Sequence, residues 1–180
     1  MLPTGELAIR LGAAALAGAL VGIDRERHRH SAGLRTMILV STGSALLALV
    51  GCELALQASA GVPVVPAGNP DAAAGARGAD AISRVVQGII GGIGFLGAGV
   101  VMRADGRVRG ITTAASIWVT AAIGLAMGLG MYTLGAMTLA LALIALVLLK
   151  PVEEDVAEFL GRSRKNGHAP GQEQRPPDPG

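Results

Sequence analysis

Residues 88–99 read GIIGGIGFLGAG: six glycines, five aliphatic residues or alanines, one phenylalanine and no polar side chain. In a water-exposed helix each glycine costs about 1 kcal/mol relative to alanine. In a bilayer the backbone must bond to itself whatever the side chains are, and small residues let helix backbones approach each other. Arg103, Arg107 and Arg109 follow closely, as charges do where a buried segment leaves the membrane. The stretch therefore reads as one span of a helical membrane protein, with Gly88, Gly92, Gly94, Gly97 and Gly99 on its packing face. This span is expected at the centre of the bundle, contacted by the first and fourth.

The rest of the chain agrees. Of its 180 residues, 51% are hydrophobic and 16% charged, and the mean hydropathy is +0.53; soluble domains carry roughly 25% charged residues. Aromatic residues make up 2%, which argues against a base-stacking surface and an aromatic membrane belt. The net charge of +2 comes from arginines placed beside apolar runs, so nucleic acid is not an expected partner. The single cysteine, Cys52, excludes an internal disulfide and a cysteine-based metal site. It reads as a small apolar filler.

Five apolar runs, 7–23, 37–56, 85–102, 111–130 and 131–149, approach the roughly 20 residues that span about 30 Å of hydrocarbon. The last two abut. As one rod they would reach about 58 Å, so the chain must reverse, and Gly128, Gly130, Tyr132 and Thr133 mark the turn. Of 15 Lys and Arg, 12 fall on one side of a five-span arrangement: Arg25, Arg27, Arg29, Arg35, Arg103, Arg107, Arg109 and the five from Lys150 onward. Only Arg10, Arg77 and Arg84 fall on the other. The positive-inside rule then puts the N-terminus outside the cytoplasm and the C-terminus inside.

The expected fold is an all-α bundle of five transmembrane helices over residues 1–150. The first run contains Ala17-Gly18-Ala19, but Glu6 precedes it and its basic cluster follows, so it reads as an uncleaved anchor rather than a signal peptide. Residues 57–81, with Pro63, Pro66 and Pro70, read as a flexible external loop. Beyond Pro151 the sequence suggests one short acidic helix over 152–160, then a disordered cytoplasmic tail to 180.

A charge inside a bilayer is a functional candidate by default, and the centres of these runs contain none. Arg10, Glu53 and Arg84 sit near the external ends of the first three. Glu53 lies about 5 Å inside its run. It is expected to pair with Arg84 or Arg10 and fix the helix packing; a ligand or ion site is the sharper alternative.

On the cytoplasmic side Asp24-Arg25-Glu26-Arg27 closes the first run, and Arg35 and Thr36 open the second. Arg103, Asp105, Arg107 and Arg109 connect the third to the fourth. Thr112 and Thr113 follow, where hydroxyls can cap a helix start. This collar sets topology and touches anionic lipid, or serves as a platform for a partner or ligand. Trp118, seven residues into the fourth run, reads as an interface anchor or a packing residue. His28 and His30 point to different faces and have no third ligand nearby, so they read as solvated loop residues.

Residues 92–97, GIGFLG, satisfy G-x-G-x-x-G, yet a dinucleotide site needs a preceding strand and an acid roughly 20 residues on. Here the run stays apolar to Met102, and the next acid is Asp105. Gly88 and Gly92 instead form a small-x-x-x-small pair. No catalytic set, cofactor site or metal site is expected, and the chain does not read as an enzyme.

Four blocks together resemble the MgtC/SapB family of bacterial inner-membrane proteins: GIDRE at 22–26, AGLRT at 32–36, GIGFLGAG at 92–99 and VRGITTAASIW at 108–118. The resemblance covers 12–149, with Asp24 where glutamate is expected. It implies a multi-pass protein of the bacterial inner membrane, linked to magnesium limitation and, in pathogens, to survival inside host cells. A regulatory role is implied, with the F-type ATP synthase as a partner. A homo-oligomer is a separate expectation that does not come from the resemblance. Longer members add a soluble C-terminal domain of the ACT type, for which the roughly 30 residues after the last run are too few.

The alternative is a transporter of Mg²⁺ or another ion. Mg²⁺ sheds water reluctantly, so a path calls for carboxylates or carbonyl-lined breaks at mid-depth. No single run supplies them, which leaves an oligomeric pore lined by backbone. The residues favoured for function are Arg25, Glu26, Arg35, Arg109 and the 88–99 face.

Overall fold

No proline falls between Pro3 and Pro63 or between Pro70 and Pro151, so nothing forces the backbone out of helix within the apolar runs. The computed structural model describes residues 2–28, 30–60, 70–104 and 107–147. Helix α1 spans Thr4–Arg27, α2 Leu34–Ala60, α3 Pro70–Val100 and α4 Ile111–Gly128; α5 spans Tyr132–Val147. Between α3 and α4 lie two short strands, β1 (Met102–Ala104) and β2 (Arg107–Arg109). They pair antiparallel with Met102 opposite Arg109 and Ala104 opposite Arg107.

Two expectations fail here. The segment read as a loop, 57–81, is helical over 57–60 and 70–81. Six of the eleven residues 71–81 are alanine, the strongest helix former. Pro70 occupies the first helical position, where its fixed φ is favourable and its missing N–H costs nothing. Residues 61–69, and the acidic helix and tail expected beyond 150, lie outside the described residues. Met102, read as the end of the third span, is instead the first residue of the hairpin.

The expected reversal is present. Leu129 caps α4, and Gly130 takes φ 77°. The Gly130 amide donates to the Met127 carbonyl and the Met131 amide to that of Ala126. This is the Schellman closure, which requires a left-handed residue after the cap. α5 then runs back with Gly135 against the Met127 side chain, and Leu139 and Ala142 pack on the core formed by Ala14, Ala17, Ala45, Ile123 and Met127.

α1–α4 are each long and apolar enough to cross a membrane; the described part of α5 has 16 residues, about 24 Å. Side chains are sorted as lipid demands. Leu16, Leu39, Leu141 and Phe95 point outward, the last 81% exposed. Ser41, Thr113, Ser116 and Thr120 are buried, and their hydroxyls find partners between or along helices. The chain is an all-α, multi-pass membrane protein.

The bundle occupies residues 1–143; a second unit, 144–180, is described only through the last turn of α5. Among α1–α4 the main contacts are α1 with α2 and α4, α3 with α2 and α4, and α2 with α4. The middle is therefore the α2–α4 pair, not α3.

The reason lies in two glycine pairs. A methyl added at Gly18 would lie 2.6 Å from the Met37 carbonyl oxygen, and at Gly22 2.7 Å from Leu34 Cα. At Gly124 it would lie 2.7 Å from Ser41 Cα, and at Gly128 2.7 Å from Ala45 Cα. In both α1 and α4 the glycines stand four residues apart, the spacing that brings helix backbones together in lipid. Both pairs close on α2.

Candidate functional site

The glycine block of α3 faces away from the bundle. Its buried stripe is Ile89 and Ile93, one helical turn apart and both under 10% exposed. Val85 packs on Gly51 of α2, and a methyl added at Gly97 would lie 3.6 Å from Ala114 Cβ of α4. Methyl groups added at Gly88, Gly91, Gly92, Gly94 or Gly99 would find nothing within 4 Å among the described residues. At 100° per residue, Gly88, Gly92, Phe95 and Gly99 share one outward stripe. The expectation that this block sits at the bundle centre is thus corrected: isoleucine bulk fills the space against α2 and α4, and the glycines are left outside. Of the four long helices, α3 is the least buried, with 11% of its span inside against 50% for α4. Between α2 and α3 runs an apolar groove of about 380 Å³, bounded by Leu39, Gly43, Leu47, Gly88, Gly92 and Leu96.

The basic collar is less uniform than its sequence. Glu26 folds back so that its Oε2 accepts the Leu34 amide at 3.0 Å, capping α2 from eight residues upstream. The aliphatic and charged neighbours divide sharply: Arg25 is fully buried, while Arg35, Arg109 and Thr112 are exposed and Thr36 is partly covered. The Arg25 Nη2 donates to the Thr113 hydroxyl, joining α1 to α4. Thr113 and Thr112 were expected to cap α4, yet Gly110 is the N-cap and no side chain bonds there. The Thr113 hydroxyl points across to Arg25 instead, and its carbonyl accepts from Ser116 Oγ at 2.9 Å. His28 Nδ1 lies 2.8 Å from the Asp24 carbonyl.

At the opposite end Arg10 does not reach for Glu53. Its Nε donates to Glu6 Oε1 at 2.8 Å and its Nη1 to the Gly128 carbonyl at 2.9 Å. Glu6 lies one turn away on the same helix, and Gly128 offers an unbonded carbonyl at the end of α4, so both are closer partners than a carboxylate on α2. Tyr132 Oη donates to the same Glu6 oxygen at 3.2 Å. This latch ties α1 to the α4–α5 turn. Glu53 accepts from Gln57 Nε2 at 3.4 Å, and Arg84 is exposed on α3. Trp118 is half exposed and borders an apolar recess with Ile89, Ile93 and Ala121, a packing position at the α3–α4 contact.

Sequence reasoning missed Gly18, Gly22, Gly124 and Gly128, although both pairs carry the small-x-x-x-small spacing; the denser block at 88–99 drew the assignment. It also missed the Arg10–Gly128 bond, whose partner is a carbonyl and leaves no mark in the sequence.

Comparison with known proteins places this geometry in context. A model described as the MgtC family matches residues 11–155. SrpB of Synechococcus elongatus is 40% identical over 145 residues, 74% of this chain and 71% of its own length. YhiD of Escherichia coli K12 is 38% identical over 132 residues, 73% of this chain and 55% of its own. MgtC of Salmonella typhimurium LT2 is 34% identical over 151 residues, 84% of this chain and 55% of its own. This chain therefore spans about half the length of the latter two. No solved structure matches.

Proposed function

The chain belongs to the MgtC family, and from that premise we propose that it is an inner-membrane regulator of ion homeostasis under magnesium limitation, acting by contact with other membrane proteins. The observation that carries this reading is the outward glycine stripe of α3. Glycines in a span are useful where another backbone approaches, and among the described residues Gly88, Gly92 and Gly99 have no such neighbour within 4 Å of where a Cβ would stand. A helix from another protein can lie against that stripe and into the α2–α3 groove. The membrane sector of the F-type ATP synthase is the partner that the family resemblance favours. The basic collar at Arg35 and Arg109 orients the bundle with its N-terminus outside.

YhiD is provisionally named a magnesium transporter, which is the competing reading. The interior supports contact over conduction by one copy: Gly18, Gly22, Gly124 and Gly128 bring α1 and α4 into backbone contact with α2, leaving no wet path along that seam. The test is Gly92→Leu in native membranes. The variant should accumulate at the wild-type level and lose co-purification with the ATP synthase membrane sector. Protein-dependent Mg²⁺ entry into liposomes, abolished by Glu53→Gln, would overturn the regulator reading in favour of transport.

A further inference from the structure

We propose that Arg25 and the start of α4 form a binding site for a phosphate-type oxyanion. Arg25 has no exposed surface. Its Nη2 is bonded to Thr113, but Nε and Nη1 have no hydrogen-bond partner among the described residues. Glu26 is turned away to cap α2; Asp24, with Oδ1 3.5 Å from His28 Nδ1, lies close enough for its charge to act on Arg25 but does not meet Nε or Nη1. A guanidinium carries five N–H donors and no acceptor, and burying it with donors unmet is unfavourable.

The first turn of α4 adds donors of the same kind. α4 is an 18-residue helix with no side-chain cap and no acidic residue in its first turn. Its leading amides have no partner within the helix, and they carry the positive end of the helix dipole. Thr113, the third helical residue, already accepts from Arg25, so its hydroxyl proton is directed away from Arg25 and available to donate. Guanidinium, hydroxyl and helix amides thus gather at one turn, and the Arg25 Nε and Nη1 donors have no acceptor there among the described residues.

A phosphate group answers all three, because its oxygens accept from several directions and helix starts suit it. A carboxylate, with two oxygens in one plane, answers fewer. Two sources share this chemistry: free inorganic phosphate and the phosphodiester of an anionic lipid. The exposed Arg35 and Arg109 raise the local concentration of either. Because Arg25 is enclosed, the anion enters as α1 and α4 part at Thr113, and it is then sealed between them. The site is separate from the α3 stripe and stands or falls without it.

The test follows thermal unfolding of the full chain in neutral detergent by the fluorescence of Trp118. One arm titrates sodium phosphate against sodium chloride at equal ionic strength. The other compares micelles doped with phosphatidylglycerol or with an uncharged glycolipid. A saturable rise in midpoint with phosphate identifies the free anion; a rise with phosphatidylglycerol alone identifies the lipid headgroup. Arg25→Lys and Thr113→Val should need about tenfold more anion for half the effect, while Arg84→Gln, exposed on α3 and outside the site, responds as wild type. If Arg25→Lys fails to fold, the wild type and the near-isosteric Thr113→Val carry the comparison. No rise in either arm, or an unchanged response in Thr113→Val, overturns the site.

Discussion

Two substitutions of identical chemistry, Gly124→Ala and Gly92→Ala, should have opposite consequences. At 124 the new methyl would lie 2.7 Å from Ser41 Cα and closer to its carbonyl oxygen. Ordinary contact begins near 3.4 Å, so α4 and α2 must part by at least about 0.7 Å at that turn. Both obstructing atoms are backbone, and no rotamer relieves them. Overpacking of this kind costs about 1–3 kcal/mol, and the rigid neighbour puts this site at the upper end. The intrinsic helix gain of alanine returns up to about 1 kcal/mol, leaving a net loss of about 2 kcal/mol. At 92 the new methyl would find nothing within 4 Å among the described residues, so only the propensity gain remains. Reversible unfolding in mixed micelles, followed by Trp118 fluorescence, measures both. Equal effects, or a Gly92→Ala variant weaker than Gly124→Ala, would refute the assignment of which glycines pack.

Three further outcomes follow from the same contacts. Gly130→Ala must hold a methyl at φ 77° and 2.9 Å from Arg10 Nη2, which should cost about 1–2 kcal/mol in the same assay. Arg10→Gln removes the donor to the Gly128 carbonyl and should cost about 1 kcal/mol, while Tyr132→Phe, which removes only an exposed contact to Glu6, leaves the unfolding midpoint unchanged. Ser41→Ala deletes the 2.7 Å bond from Ser41 Oγ to the Ala14 carbonyl; a loss of about 0.6 kcal/mol is expected, the usual scale for an interhelical bond in lipid.

Much of the fold was legible because lipid imposes simple rules. Run length located five helices, and the impossibility of a 111–149 rod placed the turn that Gly130 makes. The family blocks were legible as well, and the match over 11–155 bears them out. What failed were inferences of neighbourhood. A glycine block announces that close approach is possible, not whose backbone approaches, and Ile89 and Ile93 decided the facing of α3. The polyalanine stretch after Pro70 was misjudged because prolines nearby outweighed propensity, although Pro70 starts a helix as readily as it ends one. Within the collar, sequence gave charges without depth. Arg25 and Arg35 look alike in a string, yet one, on α1, is sealed against Thr113 of α4 and the other, on α2, faces outward. Arg10 was assigned a carboxylate partner because carboxylates can be seen in a sequence and a carbonyl at a helix end cannot.

The outward facing of the α3 glycines, and its use as a contact surface, can be measured directly. A photo-reactive amino acid placed in turn at each position from 88 to 99 in native membranes should capture a separate polypeptide from 88, 92 and 99. At 89 and 93 it should capture only α2 or α4 of the same chain. Capture of a separate polypeptide from 89 and 93, with 88, 92 and 99 reacting only within the chain, would contradict this account.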